Sequence, residues 1–232
     1  MRPSHVPICD SLVVLLTLTT GAVDATSFLA LGNVFSSVIT GNMVLLGVAA
    51  GAARPALAVH SGVALAGYVA GVAIGAPLAA HREGSGGTWP PSVTVGLVVE
   101  FGVLSVFSVA WELAGAAPRG GVQLALVVVL AAAMGLQAAA VRRLGQMSST
   151  YLTSTLTGLV AGLVTGSKPD GMNRSLGVLA AIVAGAAAAS VLVKTAPAWV
   201  PAVVLLPLGV VIVVSVAGFE RVRDHLIPGR SE

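Results

Sequence analysis

The stretch GAVDATSFLALGNVFSSVITGN, residues 21–42, sets an aspartate, Asp24, inside an apolar run and follows it with a Gly-Asn break and a row of hydroxyls. Further along, GLQAAAVRRLGQMSSTYLTSTLTG, residues 135–158, has a similar outline, with Gln137 where the aspartate would be. Both are greasy segments that keep a few polar groups at matched places. What surrounds them decides whether water or lipid is the solvent.

Of 232 residues, 56% are hydrophobic and only 9% charged, against about a quarter charged in a soluble domain. Nine acids and twelve bases cannot cover that much apolar surface in water, so the solvent is lipid. The net charge of +3 rests on few residues clustered between apolar runs. They read as membrane-orienting, and no basic stripe with interleaved aromatics points to nucleic acid. The single cysteine, Cys9, can form no internal disulfide. The first apolar run continues into SFLALG, past any plausible cleavage point, and reads as a retained span.

A membrane helix needs about 20 mainly apolar residues. Runs of that kind fall at about 11–31, 34–51, 58–80, 92–113, 121–141, 148–166, 173–193 and 198–218, which makes eight expected spans. Turn and charge signals separate them, among them Arg54-Pro55, HREGSGGTWPPS, APRGG, RRLGQ and GSKPDG. Trp89, Trp111 and Trp199 fall near expected span ends, as interfacial anchors do.

The two halves read as a tandem repeat. Gly32 matches Gly145 and Thr40 matches Thr153 at an offset of 113; Arg54-Pro55, Ser61 and Gly71 match Lys168-Pro169, Ser175 and Gly185 at 114. Trp89 and Pro91 match Trp199 and Pro201 at 110. The expected division is a four-helix repeat over 1–115, a second over 116–219, and a polar tail over 220–232. Four spans per repeat would point both halves the same way, about an axis along the membrane normal. Eight spans put eight Lys and Arg residues on one face and four on the other, so both termini are expected in the cytoplasm.

Counting helical rise places Asp24, Asn42, Glu100, Gln137 and Thr155 in one layer, about 10 Å below the outer surface, with Arg142 and Arg143 just above it. A charge at bilayer depth costs about 2.5–3.5 kcal/mol even on insertion scales, so Asp24 and Glu100 should look inward. Two readings compete. In one, the layer is a polar cavity for an ion, proton or solute: Asp24 and Glu100 as cation or proton sites, Asn42 and Gln137 as orienting amides, Thr153, Thr155 and Thr157 as path-lining hydroxyls, and Arg142 as counter-ion or anion anchor. In the other, Asp24 pairs with Arg142 or Arg143 and clamps the halves together. A single helix hydroxyl more often bonds the carbonyl one turn back than lines a path. Gly67, Gly71 and Gly75, and again Gly158, Gly162 and Gly166, recur every four residues, the spacing for close helix packing in lipid or for dimerisation.

Enzyme chemistry finds little footing. His5, His60, His81 and His225 sit at termini or loop edges without metal-ligand spacing. GAVDAT is no phosphate loop, and no GxSxG elbow occurs.

At these residues the chain resembles the YoaK-like family of bacterial membrane proteins. Its first signature, a Gly-x-x-Asp-Ala start, a Phe-Leu-x-Leu-Gly centre and a Thr-Gly-Asn end, is met by Gly21, Asp24, Ala25, Phe28, Gly32, Thr40, Gly41 and Asn42. Its second is met by Gln137, Ala139, Arg142, Thr150, Thr153, Thr155, Leu156 and Thr157, with Ala138 in place of the usual asparagine and Ser154 in place of the usual glycine. The resemblance implies a polytopic inner-membrane protein and supplies no activity.

The expectation is therefore an all-α, polytopic transmembrane bundle of about eight spans, built as two tandem four-helix repeats in parallel orientation, in a bacterial plasma membrane. A small-solute or ion transporter is the leading function. A non-transporting scaffold whose polar layer is structural comes next, and a membrane-embedded enzyme last. No cofactor or metal is expected. The expected partners are the lipid bilayer, a small solute, ion or proton, and a second copy of the chain, with no nucleic acid.

Overall fold

The computed structural model describes residues 6–80, 89–142, 144, 152–166 and 171–226. Its elements are helices α1 (Val6–Ala30), α2 (Ile39–Gly51), α3 (Pro55–Ala80), α4 (Pro91–Leu113), α5 (Gly120–Val141), α6 (Leu152–Thr165), α7 (Met172–Thr195) and α8 (Val200–Leu226), with a single 3-10 turn at Pro197–Trp199. The expected helical bundle is present: this is a membrane protein. Backbone groups in hydrocarbon must be satisfied within their own segment, which helices achieve. Breaks fall where the sequence forbids helix: Pro90 and Pro91 open α4, and Gly166 and Gly171 sit at positive φ on either side of the α6–α7 break. α8 continues to Leu226, so the polar tail begins as helix.

Among the described residues, six helices are long and apolar enough to cross a membrane; α2 and α6 are not. α2 has 13 residues, about 20 Å of helix against a hydrocarbon core of about 30 Å. The second and sixth runs are therefore half-helices rather than full spans.

Contacts fix the directions. Thr20 on α1 meets Gln137 on α5, and the carbonyl of Ala30 meets Gln123, so α1 and α5 are antiparallel. Glu100 on α4 meets the same Gln137 and Gly96 lies against Ala140, so α4 opposes α5. Trp111 Nε1 donates to Pro197 O at 2.9 Å, and Phe101 lies beside Gly209, so α8 opposes α4. Gly67, Gly71 and Gly75 follow Val128, Ala132 and Leu136 in order, making α3 parallel to α5; Gly177 and Gly185 follow Val14 and Leu18, making α7 parallel to α1.

The equivalent helices α1 and α5 thus run in opposite senses. This corrects the parallel orientation expected of the repeats. With α2 and α6 not crossing, each half has three spans, an odd number, and the halves are inverted about an axis in the membrane plane. The packing follows that axis. A methyl group on Gly71 would stand 2.1 Å from Ala132 O, and one on Gly185 would stand 2.0 Å from Leu18 O. On Gly135 it would stand 2.3 Å from Tyr68 O, and on Gly21 it would stand 2.2 Å from Ile182 O. All four contacts map onto one another at an offset of 114.

The expected glycine stripe at Gly67, Gly71 and Gly75 is a helix contact. The one at Gly158, Gly162 and Gly166 is not its partner. Gly158 and Gly166 face open space, Gly162 is buried, and the equivalent surface is Ala181-Gly185-Ala189 on α7, all three buried. Trp111 is wholly buried, an inter-helix bolt rather than the expected interfacial anchor.

The helices group into two bundles that trade their first members. α5 packs with α3 and α4, and α2 lies along α3; α1 packs with α7 and α8, and α6 lies along α7. The bundles meet where α1 touches α5 and where α4 touches α8. An apolar groove of about 570 Å³ on the outside of the α4–α8 contact is lined by Phe101, Leu205, Leu206, Gly209 and Val213, far in character from the polar groups described next.

Candidate functional site

α1 carries the polarity of the bundle. Thr17, Thr20, Asp24 and Ser27 recur at helical spacing on one face, and all four are buried. Two clusters hang on this stripe, about one helical turn apart.

The first is a re-entrant hairpin. After Leu31 the chain turns through Gly32 at φ 103° and Asn33 at φ 60°, and a methyl group at Gly32 would collide with the His60 ring at 2.3 Å. His60 belongs to the second turn of α3, so α3 starts on the face where α1 ends. The limb between dips back along α1. Asp24, six residues short of Ala30 and so about 9 Å below the helix end, accepts hydrogen bonds on Oδ1 from the backbone N–H of Ser36 and of Ser37, both at 2.8 Å. The Ser37 hydroxyl donates to Oδ2. Asn42, in the first turn of α2, accepts from Phe35 N–H at 2.9 Å and donates to Phe35 O. Ser27 and Ser36 share a 2.6 Å hydroxyl contact, and Phe28 stacks on Phe35 at 5.2 Å. Non-helical backbone survives at membrane depth only where protein satisfies it. Asp24 and Asn42 do that here, and α2 then returns to the starting face.

The second cluster lies deeper. Glu100 is fully buried, nine residues into α4 and about 14 Å from the face where α4 begins. Gln137 Nε2 donates to Glu100 Oε1 at 3.0 Å, and Thr20 lies 2.9 Å from Gln137 Oε1. Glu100 Oε2 and the Thr19 hydroxyl are buried without a partner among the described residues. The chain Glu100–Gln137–Thr20 passes from one bundle to the other, and so does the contact of Asp24 with the hairpin.

The single layer expected from the sequence is therefore two layers. Asp24 and Asn42 meet through the loop backbone, Glu100 and Gln137 meet directly, and α4 is entered from the face opposite to the one assumed in counting. Thr153, Thr155 and Thr157 lie outside both clusters. Thr153 and Thr157 are exposed, and Thr157 donates back to Thr153 O at 2.9 Å. Arg142 is exposed at the end of α5. Both oxygens of Asp24 are engaged by the hairpin, so Asp24 is not clamped to Arg142. Arg143, Ser148, Ser149 and Tyr151 lie outside the described residues. Between described residues an ion pair joins Arg174 to Asp10 at 3.6 Å.

Thr20 escaped the sequence reading because a lone threonine in an apolar helix looks like a back-bonding hydroxyl, and it does lie 3.0 Å from Leu16 O. Its spacing from Asp24 was the available signal.

Comparison with known proteins agrees with the membrane architecture. Residues 12–215 match the model of a family described as a protein of unknown function, DUF1275. The chain is 36% identical over 153 residues to the transmembrane protein YoaK of Bacillus subtilis (strain 168), a match covering 65% of each chain. No solved structure matches.

Proposed function

This chain belongs to the DUF1275 family of membrane proteins, and from that premise we propose that it moves a small polar solute or ion across the membrane. The carrying observation is where the membrane interior keeps its polarity. The intramembrane acids and amides Asp24, Asn42, Glu100 and Gln137 lie on the seam at which two inverted bundles meet. Inverted repeats with interrupted helices and a site near mid-depth suit alternating access, one bundle rocking against the other. In that cycle Thr20, Gln137 and Glu100 line the path, and Asp24 with Asn42 holds the hairpin that closes one end. A purely structural seam would place its polar groups for helix register alone. The full engagement of Asp24 and Asn42 favours that role for those two residues.

The membrane is the bacterial plasma membrane, with both termini cytoplasmic. Six spans leave Arg2, Arg82, Arg142, Arg143, Lys168, Arg174, Arg221, Arg223 and Arg230 on the face of the termini, and Arg54, Arg119 and Lys194 on the other. That asymmetry exceeds the one an eight-span chain would have.

Water access tests the proposal. In a Cys9→Ser background, Thr20→Cys and Ser27→Cys are treated with a membrane-impermeant thiol reagent in oriented vesicles. Transport predicts labelling of both positions, with Thr20→Cys reacting from either side in different conformations. A rigid scaffold leaves Thr20→Cys unreactive from both sides.

A further inference from the structure

The deeper cluster has too few hydrogens as its contacts stand. Thr20 has one hydroxyl hydrogen but lies within bonding distance of two acceptors, Leu16 O and Gln137 Oε1. At the other end, Gln137 gives a hydrogen to Glu100 Oε1, and Glu100 Oε2 has no partner among the described residues. The two ends of a primary amide fill the same space, so the available hydrogens decide its orientation. Turning the Gln137 amide over gives the Thr20–Leu16, Thr20–Gln137 and Gln137–Glu100 Oε1 contacts one hydrogen each and leaves Glu100 Oε2 as it was. Thr20 donates to Leu16 O and accepts from the Gln137 amide N–H, and the Gln137 carbonyl oxygen then faces Glu100. Two facing oxygens 3.0 Å apart need a hydrogen between them, and only the carboxyl can supply it.

The charges nearby agree. α5 brings Gln137 and no ionisable side chain within its span; α1 brings Thr20 and, one turn on, Asp24, which the hairpin occupies. α3 carries His60 and Tyr68, with His60 at the hairpin end, and α8 carries no ionisable residue between Val200 and Phe219. Among the described residues no cation stands beside Glu100, and an isolated carboxylate away from water is strongly disfavoured.

We propose that Glu100 is a proton-binding site: its carboxyl carries a hydrogen donated to Gln137 in the closed seam, and releases it to water when the bundles separate. The O–H bond breaks with its electron pair left on the carboxylate, and water takes the proton. This rests on the transport reading and names protons as the ion that Glu100 exchanges.

The test uses the purified full chain in phosphatidylethanolamine and phosphatidylglycerol vesicles. Infrared spectra at neutral pH should contain the carbonyl band of a protonated carboxyl that shifts in heavy water. The band should vanish in Glu100→Gln, move in Glu100→Asp and persist in Glu112→Gln, a control at the exposed end of α4. With a pH-sensitive dye inside and an imposed potassium diffusion potential, the wild type should acidify the lumen and Glu100→Gln should lose at least nine-tenths of that rate. A wild type without the band overturns the protonated state even if Thr20→Cys is labelled and transport stands. A band present with Glu100→Gln conducting protons as fast as wild type overturns the exchange. A seam closed to thiol reagent, with the band present, removes the transport reading and with it proton release, and leaves only a buried acid.

Discussion

Asp24 was the residue that raised the question of function, and its partners make it the anchor of a hairpin. Replacing it with Ala strips acceptors from two N–H groups and a hydroxyl. Each buried group so orphaned costs about 1–3 kcal/mol. Asp24→Ala should therefore melt well below wild type in detergent, with Asp24→Asn between them because one acceptor oxygen remains. Arg142→Ala should be neutral within about 0.5 kcal/mol, as exposed substitutions are, and should not rescue either variant. Rescue would restore the clamp that all three contacts of Asp24 argue against. That Asp24 would face protein was legible from the expense of a charge in lipid. Its partner was not, because Arg142 and Arg143, expected just above the same layer, drew attention from the serine backbone twelve and thirteen residues on.

At the scale of the helix, the glycines that matter are those under a carbonyl of the neighbouring helix. Gly71→Ala and Gly185→Ala must push α3 from α5 and α7 from α1, and overpacking of this kind costs about 1–3 kcal/mol. Gly47→Ala and Gly158→Ala meet nothing within 4 Å and should be neutral or slightly stabilising. Thermal melting of the four variants separates the pairs. Period-four glycines pointed to the α3–α5 contact; Gly158 and Gly166 meet no neighbouring helix within the chain, because α7 builds the equivalent surface from alanines around one glycine. The half-helices were misread for a related reason. Residues 34–51 are as apolar as a span, and nothing local announces that the first part is extended and folded back along α1. The Asp24 and Asn42 contacts that hold it there are long-range.

For the whole molecule, one miscounted crossing per half turned an inverted pair into a parallel one, which is why bundle and repeat were legible while symmetry was not. The difference is measurable. Six spans place the Trp89 segment with both termini and the Arg119 segment opposite. Eight spans would place the Trp89 segment opposite and the Arg119 segment with the termini. Reporter fusions or cysteine labelling at the two segments should follow the six-span pattern. The exchange of first helices carries a consequence for biogenesis. α1 leaves the ribosome first but packs against α7 and α8, which emerge last, so its threonines and Asp24 must wait in the bilayer for most of translation. Residues 1–115 made alone should be degraded or held by insertion machinery. Co-expressed with 116–232, they should assemble into a complementing pair, since each fragment supplies the helix that the other lacks.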